Sequence, residues 1–264
     1  MAAGPDGGME VRIRIVGPIV LTPGVDGSAL VQAVIAAARP DVQVDCVYLD
    51  AGPASVESEY DEALAVPDIV RKVIGAERDG CDGVVIDCMG DPGLYPARQA
   101  VSIPVLGPYQ TAGHLAASLG HRFAVVTVVD AVVPMFWDRA AVYGFRDHLA
   151  SVRVVHIPVL ELHADRRRMV DRIVDESAAA IREDGADTIV FGCTGMAGVA
   201  DAVATALAAR GLDVPVVDPA IAALKACEAL VDMRLHPSRR AFPRPAPKPV
   251  AGYPGLSIEH SAAR

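Results

Sequence analysis

Short apolar runs rich in valine and isoleucine alternate along this chain with longer stretches in which apolar residues recur every three or four positions. Runs that are apolar almost throughout indicate strands covered on both faces of a sheet. Strands that alternate with helices are typical of βαβ units and mainly parallel sheets. The pattern predicts strands at 11–17, 42–48, 83–87, 103–106, 122–127, 152–157, 188–192 and 214–217, and helices at 28–38, 66–78, 112–119, 132–143, 166–183, 197–210 and 220–233.

The second half of the chain repeats the first. Residues 78–90 (RDGCDGVVIDCMG) align with residues 183–195 (EDGADTIVFGCTG) at an offset of 105. Three further apolar runs match in the same order, namely 11–20 with 121–130, 41–49 with 151–159, and 102–108 with 213–219. Four collinear matches favour two structurally similar halves. We therefore predict an α/β fold of two pseudo-symmetric, flavodoxin-like αβα lobes, each with a four-stranded and mainly parallel sheet.

The element order also predicts how the chain divides. The first lobe is expected at 10–112, completed by a last helix at 218–235, and the second lobe at 113–217. Residues 236–264 contain six prolines and little periodicity, which predicts an extended tail outside the core. Its functional interpretation is an arm that lies over a neighbouring subunit. Residues 1–9 are predicted to be a flexible lead-in.

The duplicated motif places Cys88 and Cys193 at equivalent points, each at the carboxyl end of a buried strand. Ligands of open α/β sheets bind outside those strand ends. A single cysteine there is most often a small buried hydrophobe. Two symmetry-matched thiols favour acid–base chemistry on opposite faces of one carbon. Cys46, Cys81 and Cys227 have no counterpart in the other half and are interpreted as packing residues.

A helix start is predicted after each of the two matched cysteines. Asp91 is expected to cap a helix that Pro92 opens, and a second start follows Thr194 and Gly195. Helix N-termini lower a thiol pKa and stabilise a developing enolate. Gly90, Asp91, Thr194 and Gly195 are therefore candidate substrate-binding residues.

Composition excludes several classes of protein. The net charge of −9 and pI of about 5.2 argue against a nucleic-acid partner, and no apolar run approaches the length of a membrane span. No glycine-rich nucleotide loop follows a strand, and the histidines lack zinc-ligand spacing. Five cysteines suit free thiols in a reducing compartment. We expect a cytoplasmic homo-oligomer with a small-molecule substrate and no metal or other cofactor.

Four stretches resemble the hydantoin racemase family of the aspartate/glutamate racemase superfamily: GPASVESEYDEALAVP (52–67), DCMGDPGL (87–94), LGHRFAVVT (119–127) and FGCTGMAGVAD (191–201). The resemblance covers roughly 11–233. It implies a two-lobed, cofactor-independent racemase in which Cys88 and Cys193 are the acid–base pair. It places Tyr60 near the cleft entrance.

The resemblance also implies that Gly17, Ile19 and Thr127 lie where the family holds its substrate. The family usually has Asn-Pro-Asn after the first strand, where this chain has Gly17-Pro18-Ile19, and Thr-Thr where it has Thr127-Val128. The acid–base pair is kept while polar substrate-holding groups are replaced. This favours a less polar or differently shaped ligand than the family's usual one.

The prediction is a racemase or epimerase acting at a carbon alpha to a carbonyl, on a 5-substituted hydantoin or a related amino-acid derivative. Three alternatives stay open. A decarboxylase on the same scaffold needs only one thiol as proton donor. A cis–trans isomerase of a small diacid needs polar groups that Ile19 and Val128 do not supply. A non-catalytic ligand-binding protein would carry two unreactive cysteines.

Overall fold

The computed structural model describes residues 11–23, 26–253 and 255–256. Two four-stranded sheets form the framework, and every neighbouring pair of strands is parallel. The first sheet has the order β2-β1-β3-β4 and the second has the order β6-β5-β7-β8. The strands are β1 Val11–Gly17, β2 Val42–Tyr48, β3 Gly83–Ile86, β4 Val105–Leu106, β5 Phe123–Thr127, β6 Leu149–Val154, β7 Thr188–Phe191 and β8 Val216–Val217. The predicted α/β fold of two similar lobes is confirmed.

Helices cover both faces of each sheet. They are α1 Gly27–Leu30, α2 Gln32–Ala36, α3 Glu59–Arg78, α4 Leu94–Ala100, α5 Pro108–Leu119, α6 Val133–Tyr143, α7 Arg166–Asp184, α8 Ala200–Ala209 and α9 Pro219–Asp232. In the first lobe, α3 and α4 pack on one face of the sheet. In the second, α7 and α8 cover one face and α5 and α6 the other. Of the described helices, none is long and apolar enough to cross a membrane.

The last helix returns to the first sheet. Ala223, Leu224 and Cys227 of α9 are fully buried and pack in one cluster with Ile13 and Val85 of that sheet. The chain therefore crosses between the lobes twice. The exact lobe boundaries stay a prediction. The predicted lead-in, residues 1–9, lies outside the described residues, and so does residue 10, the predicted start of the first lobe.

Several predicted elements differ from the structure, and three of the differences have a local cause. Helix α3 begins at residue 59 rather than 66, because Ser58 caps it by accepting from the amide of Asp61 and three acidic residues follow in the first turn; Pro67 lies inside the helix. The predicted helix at 28–38 is two short helices, α1 and α2, that meet at Val31. Strand β6 occupies 149–154 rather than 152–157, because His156 adopts a positive φ of 54°.

The described part of the proline-rich tail lies on its own chain, over α4. Arg239 donates to the carbonyl oxygens of Arg98 and Val101 at the end of that helix. The ring of Phe242 lies 5.4 Å from that of Tyr95, centroid to centroid. Residues 237–253 contain no helix or strand, and the Arg239 guanidinium binds helix carbonyls that would otherwise lack partners. An arm over a neighbouring subunit stays a prediction.

We expect truncation after His236 to lower the free energy of unfolding by ~1–3 kcal/mol, the usual range for a few partly exposed hydrogen bonds to a charged group. Turnover should stay within a few-fold, because the tail contacts α4 rather than the strand ends where the candidate site lies. Urea denaturation and a racemisation assay on the same preparation measure both. A folded truncate without activity would contradict this prediction.

Candidate active site

The two matched cysteines meet between the lobes. Strand β3 ends at Ile86 and β7 at Phe191, so Cys88 and Cys193 each follow two residues later, at equivalent strand ends. Both line the same cavity of about 270 Å³, here called the large cavity. Both also line a second cavity of about 40 Å³, here called the small cavity. The prediction that the two thiols share one cleft therefore agrees with the geometry.

The large cavity is walled mainly by apolar side chains. They come from the loop after β1, helix α1, the segment before α3 and the loop after β6: Pro18, Ile19, Val20, Leu21, Leu30, Ala54, Val56, Val159, Leu160 and Leu162. Its polar lining residues are Thr22, Tyr48, Asp87, His163 and Thr194. Gly17 lies here because a Cβ would meet the Tyr48 ring at 2.4 Å. The cavity thus offers space for a bulky, apolar substituent beside the two sulfur atoms.

The small cavity has a different character. It is lined by Ser58, Glu62, Thr127 and the backbone of Gly90 and Gly192, together with Val128 and the side chains of α6 that face it. A volume of this size holds a few heavy atoms at most. Because both cavities include Cys88 and Cys193, a ligand with its reacting carbon between the sulfur atoms extends into both.

The loops after the two strands place backbone amides against the sulfur atoms. The amide of Gly90 donates to Cys88 Sγ at 3.4 Å, and the amide of Gly195 lies similarly against Cys193. Neither thiol lies directly at an α-helix N-terminus, because α4 begins only at Leu94 and α8 only at Ala200. The short turn at 194–196 is a 3₁₀ helix.

The expected lowering of the thiol pKa values is wrong. Burial raises the pKa of Cys193 to about 12, with the Gly195 amide opposing the rise. Burial also raises the pKa of Cys88 well above its usual value, and the neighbouring Glu62 carboxylate adds to the effect. Desolvation of the thiolate raises the thiol pKa by more than one or two backbone amides lower it. The helix N-termini that would lower it further begin several residues later.

Asp91 does not cap the helix that follows it. That helix starts at Leu94 with Gly93 at its N-cap, and Asp91 has a positive φ of 46°. Its carboxylate instead accepts from the amides of Tyr109 and Gln110, at 3.0 and 2.9 Å. Asp91 therefore caps α5, which lacks a side-chain cap of its own, and it lines neither cavity. This interaction fixes the loop after Cys88 to the start of α5.

Two of the hydrogen bonds that join the lobes lie at the large cavity. Thr194 Oγ1 donates to the carbonyl oxygen of Asp87 at 3.1 Å, linking the two strand ends that carry the cysteines. Glu57 Oε1 accepts from the amide of Val159 at 2.8 Å, linking the segment before α3 to the loop after β6. These contacts connect the two walls of the large cavity.

The predicted substrate-binding residues are not all brought together. Gly17, Ile19, Thr194 and Gly195 line the large cavity, and Gly90 and Thr127 line the small one. Tyr60 is 72% exposed on the first turn of α3 and lines neither cavity. Their roles in binding stay predictions. The other three cysteines are free, and Cys81 and Cys227 are buried in the cores, in keeping with the packing role assigned to them.

Sequence reasoning missed the ion pair of Glu62 and Arg139, which joins α3 to α6 beside the small cavity. Glu62 is only 6% exposed. A signal was present in the sequence, because Glu62 shares the helical face of Ala65, Ile69 and Val73, which are fully buried. A carboxylate on the apolar face of a helix indicates a buried partner or a site.

Asp87, which had no assigned role, places a carboxyl group in the wall of the large cavity. Burial raises its pKa to about 7, with the Thr194 side chain opposing and the Asp218 carboxylate adding. The ionised form is thus disfavoured in the folded state. The folded protein loses stability as pH rises from the ordinary carboxyl pKa toward 7, because the unfolded chain ionises first.

We expect Asp87→Asn to raise the free energy of unfolding at pH 8 by ~2–4 kcal/mol, the size implied by a shift of about three pKa units. The gain in the free energy of unfolding should be smaller at pH 5, because the Asp87 carboxyl of the folded wild-type protein is then neutral. Melting curves at both pH values measure the difference. Asp213→Asn, at an exposed position in the loop before β8, is the control. An equal effect at pH 5 and pH 8 would contradict the assignment.

Known proteins resemble this chain over most of its length. The model of the Asp/Glu/Hydantoin racemase family matches residues 28–227. A hydantoin racemase from Pseudomonas sp. (strain NS671) is 33% identical, covering 92% of this chain and 95% of that protein. A hydantoin racemase from Rhizobium meliloti is 37% identical, covering 76% and 82%. The crystal structure of allantoin racemase from Pseudomonas fluorescens superposes with a TM-score of 0.83 at 32% identity, covering 92% and 100%.

Proposed function

Since the chain belongs to the Asp/Glu/hydantoin racemase family, we propose that it inverts the configuration at a carbon alpha to a carbonyl with Cys88 and Cys193 as the two bases. The chain is a racemase of the hydantoin and allantoin type. The observation that carries the two-base proposal is that both thiols, from equivalent strand ends, line both cavities of one cleft.

In the proposed reaction, one cysteine acts as a thiolate and takes the proton from C5 of a hydantoin ring. The electron pair of the C–H bond moves into an enolate with the adjacent carbonyl. The opposite cysteine, as a thiol, then delivers its proton to the other face of C5. Racemisation in the reverse direction exchanges the two roles. The amides of Gly90 and Gly195 lie beside the sulfur atoms, where they help to carry the thiolate charge.

The raised thiol pKa values suit this chemistry. A carbon acid is weak, and proton transfer to a base is less uphill when the pKa of the base approaches that of the carbon. Burial raises the pKa of both Cys88 and Cys193, so their thiolates are stronger bases than a thiolate in water. Because the pKa values are raised, only a small fraction of each cysteine is a thiolate at neutral pH. Such a small thiolate fraction favours substrates whose C–H bond is already activated, as in hydantoins. No metal or organic cofactor takes part in the proposed steps.

The wall of the large cavity favours a hydantoin with an apolar substituent at C5. Allantoin carries a polar ureido group at the equivalent carbon, whose desolvation needs hydrogen-bonding partners, and the apolar lining residues of this cavity outnumber the polar ones. Ile19, Val20 and Leu21 stand on one side of the cavity and Val159 and Leu162 on the other. A branched alkyl or benzyl group would bury its surface against them, and full burial of such a group contributes ~1.5–3 kcal/mol.

The test is a comparison of purified single enantiomers of 5-isobutylhydantoin, 5-benzylhydantoin and allantoin in deuterated water at neutral pH. Optical rotation reports inversion, and NMR reports exchange at the alpha carbon. We expect inversion with deuterium incorporation, and a kcat/KM that is about 10- to 100-fold higher for the apolar substrates. Ile19→Asn should reduce that preference. Faster turnover of allantoin would overturn the apolar substrate class, and no exchange with any of the three would overturn the proposed racemase.

A further inference from the structure

A buried ion pair lies against the loop that carries Cys88. Glu62 of α3 and Arg139 of α6 form it, and Glu62 lines the small cavity with both cysteines. Only one oxygen of the carboxylate is used, because Oε2 accepts from Arg139. Oε1 is buried and has no hydrogen-bond partner among the described residues, and the same holds for Nη1 of Arg139. A buried polar atom without a partner costs ~1–3 kcal/mol and calls for an explanation.

The free oxygen has a defined place beside the reacting groups. A Cβ on Gly90 would lie 1.9 Å from Glu62 Oε1, so the carboxylate rests directly against the glycine backbone. The amide of that glycine donates to Cys88 Sγ. Glu62 Oε1 thus lies against the glycine whose amide contacts the Cys88 thiol. Burial raises the pKa of Glu62, and the Arg139 guanidinium opposes that rise and keeps the carboxylate in place.

We infer that Glu62 Oε1 accepts a hydrogen bond from the substrate, from the ring N–H that is bonded to the reacting carbon. This inference rests on the proposed function, and it deepens it by naming the chemical group that the small cavity recognises. The substrate class is a cyclic ureide or amide with a free N–H next to its acidic carbon. Arg139 is a positioning residue, since it touches the carboxylate and not the ring.

The sizes of the two cavities indicate how the substrate is oriented in the cleft. The small cavity, at about 40 Å³, admits the edge of a ring but no bulky group, whereas the large cavity, at about 270 Å³, admits the C5 substituent. With C5 between the sulfur atoms and its substituent in the large cavity, the ring is directed toward the small cavity. Of the two ring atoms bonded to C5, one is a carbonyl carbon and the other is the N–H nitrogen, and only the N–H can donate to the free oxygen of Glu62. An N–H donor satisfies the free oxygen without placing a second negative charge beside the carboxylate.

The experiment pairs variants with substrates. Wild type, Glu62→Gln, Glu62→Ala and the double variant Glu62→Gln/Arg139→Gln are assayed on 5-benzylhydantoin and on its N1-methyl and N3-methyl derivatives. The double variant removes both charges, so that no uncompensated guanidinium stays buried. Glu228→Gln is the matched control, because Glu228 is also buried and paired with a basic residue, Lys225, but lies on α9 away from both cavities.

We expect wild type to prefer the N1–H substrate to its N1-methyl derivative by at least ~30-fold in kcat/KM, the size expected when a methyl group replaces a bonded donor at a buried acceptor. Glu62→Ala should reduce that ratio by at least ~10-fold. Glu62→Gln should reduce it less, since the amide oxygen still accepts, and Glu228→Gln should leave it unchanged. The ratio of N3–H to N3-methyl should not depend on Glu62.

Equal slowing of the N1–H and N1-methyl substrates in the folded Glu62 variants would overturn the contact, because the carboxylate would then act only through Cys88 or the fold. A wild type that does not discriminate between them would also overturn it. Neither result would contradict the proposed racemase activity. A wild type that exchanges the alpha proton of no hydantoin would overturn the proposed function and the contact together, so the two failures are distinguishable.

Discussion

Replacing either Cys88 or Cys193 with alanine should abolish racemisation in both directions, with a loss of at least ~10³-fold, because each enantiomer needs one sulfur to take the proton and the other to return it. In the proposed mechanism neither thiol can replace the other, since the two follow strands of different lobes and would act on opposite faces of the carbon. The loss should therefore be the same whichever enantiomer is supplied.

The two variants should differ in proton exchange. Cys88→Ala keeps Cys193, which can still remove the alpha proton that faces it and return a deuteron to the same face. Each variant should therefore exchange one enantiomer in deuterated water without inverting it, and the two variants should favour opposite enantiomers. NMR of the alpha proton, combined with chiral chromatography, separates exchange from inversion.

Cys81→Ala is the matched control, because Cys81 is a buried free cysteine of the same lobe that packs in the core and lines neither cavity. This substitution should change only the free energy of unfolding, by about 1 kcal/mol. Near wild-type racemisation by Cys88→Ala would contradict the two-base assignment. If that variant also decarboxylated a malonate-like substrate, the single-thiol alternative would replace it.

The framework was predictable from sequence because parallel strands that are buried on both faces are apolar without interruption. The strand positions agree within a few residues for β1, β2, β3, β5 and β7. The duplication then located the cysteines, since equivalent residues of two similar lobes occupy equivalent strand ends. Helix starts were less accurate: the apolar pattern placed the beginning of α3 at residue 66, yet the cap at Ser58 and the acidic first turn fix that beginning two turns earlier.

The parts of the site that sequence could not supply depend on contacts between distant residues. Glu62 and Arg139 are 77 positions apart in the chain and meet only when both lobes are folded. Asp91 precedes a proline, which is a local signal for a cap, but its carboxylate binds the start of α5 instead. The direction of the thiol pKa shifts follows from desolvation of the cleft, which is a property of the assembled lobes and not of the motif around each cysteine.

Gly192→Ala should cost at least ~100-fold in turnover, the usual cost of displacing a catalytic group by about 1 Å. Gly192 directly precedes Cys193, and a Cβ there would lie 2.5 Å from Thr127 Cβ and 2.7 Å from Thr127 Cα. The backbone cannot yield easily, since the Gly192 amide donates to Val126 at 2.7 Å and its carbonyl accepts from Thr127 Oγ1 at 3.1 Å. The new methyl group therefore separates the ends of β5 and β7 and moves Cys193.

The same overpacking should lower the free energy of unfolding by about 1–3 kcal/mol. Gly75→Ala is the control, because nothing lies within 4 Å of a Cβ at that position of α3; it should gain ~0.5–1 kcal/mol from helix propensity and keep full activity. Denaturant titration and racemisation kinetics on both variants measure the contrast. Gly192→Ala with wild-type turnover would show that the strand end tolerates displacement and that the position of Cys193 does not limit proton transfer. Loss of turnover without a matching change in the affinity for substrate would show that the methyl group acts through the sulfur atom and not through the walls of the cavities.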